Sequence, residues 1–288
     1  QNLGKQVKFG LVAFRSNTQA VPGLEYTTKM YADPTKVKDS ADFFAKIADL
    51  KQATVSSSSF DEDPLAGVLQ RIDKVDWDQF GARYGVLVTD SGAIEGDDKL
   101  SKTGLSAAQV RMEAANPGVA IYTLHLKTPA GAKDHAKAQA QYQNLSTYPG
   151  TNTSLYYPVN AGDVQEFGRK VDALAGAITT QVKAAYMGED AIGSAANAKQ
   201  DPAEKKMLED AALIGHAMQL AYLGEKTNSK APPVFKAWIE PLRDLGVSAV
   251  TAKGTGSTDH EAFEDAGLPG FQFIQDEVEY AISGAGGL

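Results

Sequence analysis

Residues Arg83–Ala93, reading RYGVLVTDSGA, decide the fold. Val86, Leu87 and Val88 form a short β-branched and aliphatic run that stops abruptly at a carboxylate (Asp90), a hydroxyl (Ser91) and a glycine. That is how a buried parallel strand reads where it emerges at the carboxyl edge of a sheet. In open α/β sheets the crevice beyond those strand ends receives ligands. Asp90 therefore stands where a ligating or anchoring carboxylate is useful.

Towards the N-terminus, Val7–Phe14 (VKFGLVAF) reads as a strand and Leu24–Tyr31 as a second, edge-like one. Pro34 suits the first turn of a helix reaching Leu50. After the polar Ser56–Ser59, Asp61-Glu62-Asp63-Pro64 precede Leu65, Val68, Leu69, Ile72 and Val75. Those spacings predict an amphipathic helix with acids and a proline at its start. Towards the C-terminus, the pattern predicts a helix at about Ser106–Ala115, a strand over Gly118–Leu126, a helix over Ala130–Leu145 and a strand over Ser154–Pro158. A long helix over Val164–Tyr186 follows. The alternation implies an α/β fold: a mostly parallel, Rossmann-like sheet flanked by helices on both faces.

Gly188–Gln200 is rich in small residues and reads as a linker, and Asp201-Pro202 caps a helix running to about Leu223. Pro232-Pro233 starts a further short helix. Val247–Thr251, Asp259–Ala266 and Phe271–Ile274 then read as strand, helix and strand. Three parts result: residues 1–187, a linker and helical extension over 188–245, and a short α/β tail over 246–288.

The 288 residues are 43% hydrophobic and 22% charged, ordinary for a globular chain. A net charge of −8 argues against a nucleic-acid surface. No apolar run approaches the ~18–20 residues that span a bilayer. The absence of cysteine removes disulfides, thiolate metal sites and cysteine nucleophiles. The chain opens at Gln1 with no leader pattern, which suggests a removed segment or a start inside a longer protein.

The stretches KFGLVAFR (Lys8–Arg15), FDEDPLAGV (Phe60–Val68), RYGVLVTDSGA, GVAIYTLHLKTPAGAKDH (Gly118–His135) and SLYYPVNAGDV (Ser154–Val164) resemble a von Willebrand factor A-type domain. The subgroup they are most similar to is that of type VI secretion-associated Ser/Thr kinases and related envelope proteins. The resemblance implies a divalent-cation site at the carboxyl edge of the sheet. Three segments would hold the ion: an Asp-x-Ser-x-Ser, a Thr loop and an Asp after the central strand. Asp90 matches the third, Asp61–Asp63 occupy the place of the second, and the first is absent because the likeness begins at the family's second strand. A sheet without its first strand is expected to leave a central gap. Asp90 with Asp61 or Asp63 is the expected Mg²⁺ set, a hard cation that favours oxygen ligands. A competing reading has Asp90 bonding loop amides and Asp61–Asp63 favouring a helix N-terminus. Ser59 and Ser91 complete the expected contact face for a protein partner. The resemblance implies an extracytoplasmic or periplasmic location.

Phe235–Tyr280 resembles a C-terminal portion of the M28 metallopeptidases, carboxypeptidase Q-like, most clearly at GTGSTDHEAFEDAGLPGFQFIQD. The late metal-binding His of that family has no counterpart near Ala281–Ala285, and no Glu-Glu pair occurs in the chain. A zinc hydrolase needs three protein ligands per metal and an activated water. Zinc is therefore not expected, and the tail reads as a fragment of a hydrolase fold within a chimeric sequence. Gly254–Thr258 lacks the spacing of a P-loop, and Ser257, Asp259 and His260 are too close in sequence to converge as a triad. His125 reads as a packed strand histidine, and no HExxH accompanies His135 or His216. The expectation is a non-enzymatic protein-interaction module of the A type, with an inactive M28-type hydrolase fragment as the alternative.

Overall fold

The computed structural model describes residues 7–55, 57, 60–149, 153–160, 164–187 and 202–226. The chain divides into two compact units, 1–248 and 249–288, and the second lies outside the described residues. The linker over 188–200 and the expected elements beyond Lys226 lie outside them as well.

Five strands and six α-helices alternate through the described part: β1 (Leu11–Phe14), β2 (Thr28–Ala32), α1 (Ser40–Ile47), α2 (Pro64–Lys74), β3 (Tyr84–Thr89), α3 (Ala107–Ala115), β4 (Ala120–Lys127), α4 (His135–Leu145), β5 (Tyr156–Asn160), α5 (Val164–Met187) and α6 (Pro202–Lys226). Strands β3, β4 and β5 form a parallel sheet in that order, with Val86 opposite Tyr122 and Leu124 opposite Tyr157. Each crossover between them carries a helix, as parallel pairing requires. Strands β1 and β2 pair antiparallel in a sheet of their own. The expected single sheet is thus present as two sheets, because β1 and β3 share no ladder. Helix α2 packs against β1, β2 and β3 and ties the two together.

One face of the parallel sheet packs Leu87, Ile121 and Tyr156 against Leu65, Val110, Ala138 and Tyr142 from α2, α3 and α4. The other packs Tyr122, Leu124, Tyr157 and Val159 against Leu174 of α5 and Met207, Ile214 and Met218 of α6. Residues i and i+2 of one strand thus serve different helices from residue i+1, the period-2 rule of a sheet covered on both faces.

Two helices start later than their patterns suggest. Asp33 Oδ1 accepts from the Thr35 N–H at 3.0 Å and the Thr35 hydroxyl at 2.7 Å, which closes a turn around Pro34. Helix α1 begins six residues further on, where the extended Asp39 caps it through the Asp42 N–H at 2.9 Å. Helix α4 begins at His135 rather than Ala130, after a 3₁₀ turn over Pro129–Gly131. Asp134 stands at its N-cap position but makes no cap bond, because its carboxylate accepts from the Gly92 N–H instead.

Candidate functional site

The loop leaving β3 is held at many points. Thr89 Oγ1 donates to Ser91 O at 3.3 Å, and the Tyr142 hydroxyl donates to the same carbonyl at 2.7 Å. Gln141 clamps Ala93 from both sides: its Nε2 donates to Ala93 O and its Oε1 accepts from the Ala93 N–H, each at 2.9 Å. Gly92 lies so close to Asp134 that a Cβ would fall 2.5 Å from its Oδ2, and a Cβ on Gly131 would fall 3.0 Å from Asp90 O and 2.7 Å from the Phe60 ring. Glycine is required at both positions for that approach. These bonds fix Asp90 and Ser91 at the carboxyl edge of the sheet.

Opposite the loop runs Phe60–Asp63, bridged in parallel to Ala93 through Glu62. Side chains alternate along an extended segment, and the three acids here diverge accordingly. Asp61 pairs with Lys137 Nζ at 2.7 Å. Asp63 is fully buried and caps α2, accepting from the Ala66 N–H at 3.1 Å and the Lys102 N–H at 2.9 Å. Those amides anchor its ionised form, while burial, the larger influence, pushes its carboxyl up. Glu62 is within reach of the Asp90 charge, and burial together with that charge pushes its carboxyl up to about 7, with Ser91 and Arg15 opposing.

Ser91 lies close enough to Glu62 to favour its ionised form, although the buried Oγ completes no hydrogen bond of good geometry among the described residues. Ser59 lies outside the described residues. Behind the loop, His125 is fully buried, and its Nδ1 meets the Tyr156 hydroxyl at 2.7 Å. Its ring stands 5.6 Å from that of His135, and burial, with the neighbouring His135 and Lys127, lowers its pKa to about 4.

The structure therefore brings Asp90 and Ser91 together with Glu62, which the sequence reading did not single out. It sends Asp61 to a lysine and Asp63 to a helix cap. The signal that would have picked out Glu62 was the alternation of an extended segment just before an N-cap. Among the described residues, no three His, Asp or Glu side chains converge to enclose a metal ion. No helix among them is long and apolar enough to cross a membrane. Comparison with known proteins adds no relative: no family model matches the chain, and no curated protein or solved structure matches it.

Proposed function

We propose that the chain is a non-enzymatic protein-interaction module of the A-domain type, contacting its partner through the carboxyl edge of the β3–β5 sheet. The observation that carries this reading is the Glu62–Asp90 pair: burial, and after it the Asp90 charge, push the Glu62 carboxyl up to about 7. A buried acid beside a second carboxylate is relieved by an incoming cation. The expected set of Asp61, Asp63 and Asp90 does not fit Mg²⁺, which needs near-octahedral oxygen coordination. As the side chains stand, Asp63 is committed to amides and Asp61 to Lys137. The cation that suits the remaining pair is a Lys or Arg side chain of a partner protein. The type VI secretion resemblance puts such a partner in the periplasm, which fractionation of the source cell would check.

The test is peptide binding measured against pH. A peptide with one exposed arginine should bind more tightly as pH rises through about 7 and Glu62 ionises. Glu62→Gln and Asp90→Asn should each remove that dependence. Binding that ignores both substitutions defeats the proposal. A melting temperature raised by Mg²⁺ or Mn²⁺, with the rise lost in Asp90→Ala, would put a metal in the cation's place.

A further inference from the structure

Two histidines stand behind the Asp90 loop, and each keeps one ring nitrogen unpaired. His125 lies on the face of β4 that turns to α4, as Ile121 does four residues earlier, and it is fully buried. His135 is the first residue of α4 and is half-buried. The two rings are nearly perpendicular, at 85°, with centroids 5.6 Å apart. The Nε2 atom of each is shut away from solvent and meets no hydrogen-bond partner among the described residues.

The hydroxyls around the pair are committed elsewhere. The Tyr156 hydroxyl meets His125 Nδ1 at 2.7 Å, and the Tyr142 hydroxyl donates to Ser91 O at 2.7 Å. Thr89, opposite His125 in the β3–β4 ladder, donates to the same carbonyl at 3.3 Å. A buried polar atom left without a partner costs about 1–3 kcal/mol. Two of them on adjacent rings mark a place where a further group belongs.

The chemistry of that group follows from the nitrogens. With Nδ1 donating to the Tyr156 hydroxyl, His125 Nε2 presents a lone pair, and burial keeps the ring neutral at pH 7. A hydrogen bond on the far ring nitrogen is the support that metal-bound imidazoles generally receive. A first-row ion sits about 2.0–2.1 Å from an imidazole nitrogen, so two rings sharing it at bond angles of about 90–120° have centres roughly 4.5–5.5 Å apart. The observed 5.6 Å stands at the upper limit of that span. No third His, Asp or Glu joins the pair among the described residues, which leaves water to complete the coordination. Lys127 is close enough to oppose added positive charge. Both facts weaken the hold on an ion, to a dissociation constant on the order of tens of micromolar.

We propose that His125 and His135 form a two-imidazole site for one divalent transition ion, of the Zn²⁺ or Cu²⁺ kind, where the end of β4 meets the start of α4. Imidazole suits these ions, whereas Mg²⁺ takes oxygen. The ion ties the sheet to the helix whose Asp134 and Gln141 side chains hold the Asp90 loop. The site rests on ring geometry and unpaired nitrogens and not on the carboxyl-edge reading, so either stands without the other.

Isothermal titration of the full, metal-free chain with ZnCl₂ and CuCl₂ tests this. One equivalent should bind, Cu²⁺ more tightly than Zn²⁺, and MgCl₂ should give no binding heat. His135→Gln should weaken binding at least tenfold, and Tyr156→Phe, which leaves both ligands in place, roughly tenfold. On unaltered protein, ¹⁵N NMR should show Zn²⁺ moving the Nε2 signals of His125 and His135 together and sparing that of His216. That measurement does not depend on a variant folding. Absence of saturation by about 1 mM Zn²⁺ overturns the proposal. An equivalent that His135→Gln retains, or a His135 signal that moves alone, also overturns it, because the ion is then an adventitious one at the surface.

Discussion

All six residues from Ala120 to His125 of β4 are buried, whereas in the adjacent β3 burial alternates and Val86 and Val88 stand 43% and 40% exposed. Both strands carry apolar runs that read as interior parallel strands. Strand β4 has a neighbour on each edge and helices on each face, while among the described residues β3 has one strand neighbour and is only partly covered on one face. The difference teaches that hydrophobic pattern specifies what a strand can bury, and topology decides how much of it is buried. Leu124→Ala should therefore lower unfolding stability by about 3–4 kcal/mol in urea denaturation. Val88→Ala, two rungs of the same ladder later than Val86, should lower it by less than about 1 kcal/mol. Equal losses would break the contrast and mean that the outer face of β3 is covered in solution.

The next largest effect contrasts two acids at the approach to α2. Asp63→Ala strands the Ala66 and Lys102 amides in a buried site and should lower stability by about 2 kcal/mol. Asp61→Ala loses an ion pair to a half-exposed lysine and should lower it by less than about 1 kcal/mol. Thermal melts of the two variants side by side give the comparison.

Much of the architecture is legible in the residues themselves. The Val86–Val88 run, the Asp63-Pro64 helix start and the apolar stretch through Ile121 and Leu124 each mark their element, because local pattern and final environment agree. Helix starts at Pro34 and Ala130 were not legible. They depend on where Asp33, Asp39 and Asp134 spend their carboxylates, and the Asp134 partner, Gly92, lies 42 residues away. The candidate site was half legible for a related reason. Asp61, Glu62 and Asp63 form one acidic patch as letters, yet as an extended segment they point different ways, and the middle one feels the Asp90 charge. The separation into two sheets is a property of backbone pairing, on which side-chain periodicity is silent; the expected central gap came from the family resemblance alone.

The smallest expected effect joins the ends of the two strands through pH. Glu62, near the end of β3, has its carboxyl raised from 4.5 to about 7, so between those values the folded chain keeps a proton that the unfolded chain releases. Its contribution to stability is full below about 4.5 and is lost as pH rises through 7. His125, inside β4, is lowered from 6.5 to about 4, so the unfolded chain takes up a proton first and stability is lost as pH falls through that range. The two slopes oppose each other between 4.5 and 6.5, and above 6.5 only the Glu62 slope remains. Glu62→Gln should remove a loss of about 0.5 kcal/mol between pH 6.5 and 8, a magnitude reduced for solvent screening. Urea midpoints of the two proteins at pH 5.5, 6.5 and 8 should therefore draw steadily apart as pH rises, the His125 slope being common to both. Parallel profiles would mean that Glu62 is ionised in the folded chain and that its pairing with Asp90 is already neutralised by a cation.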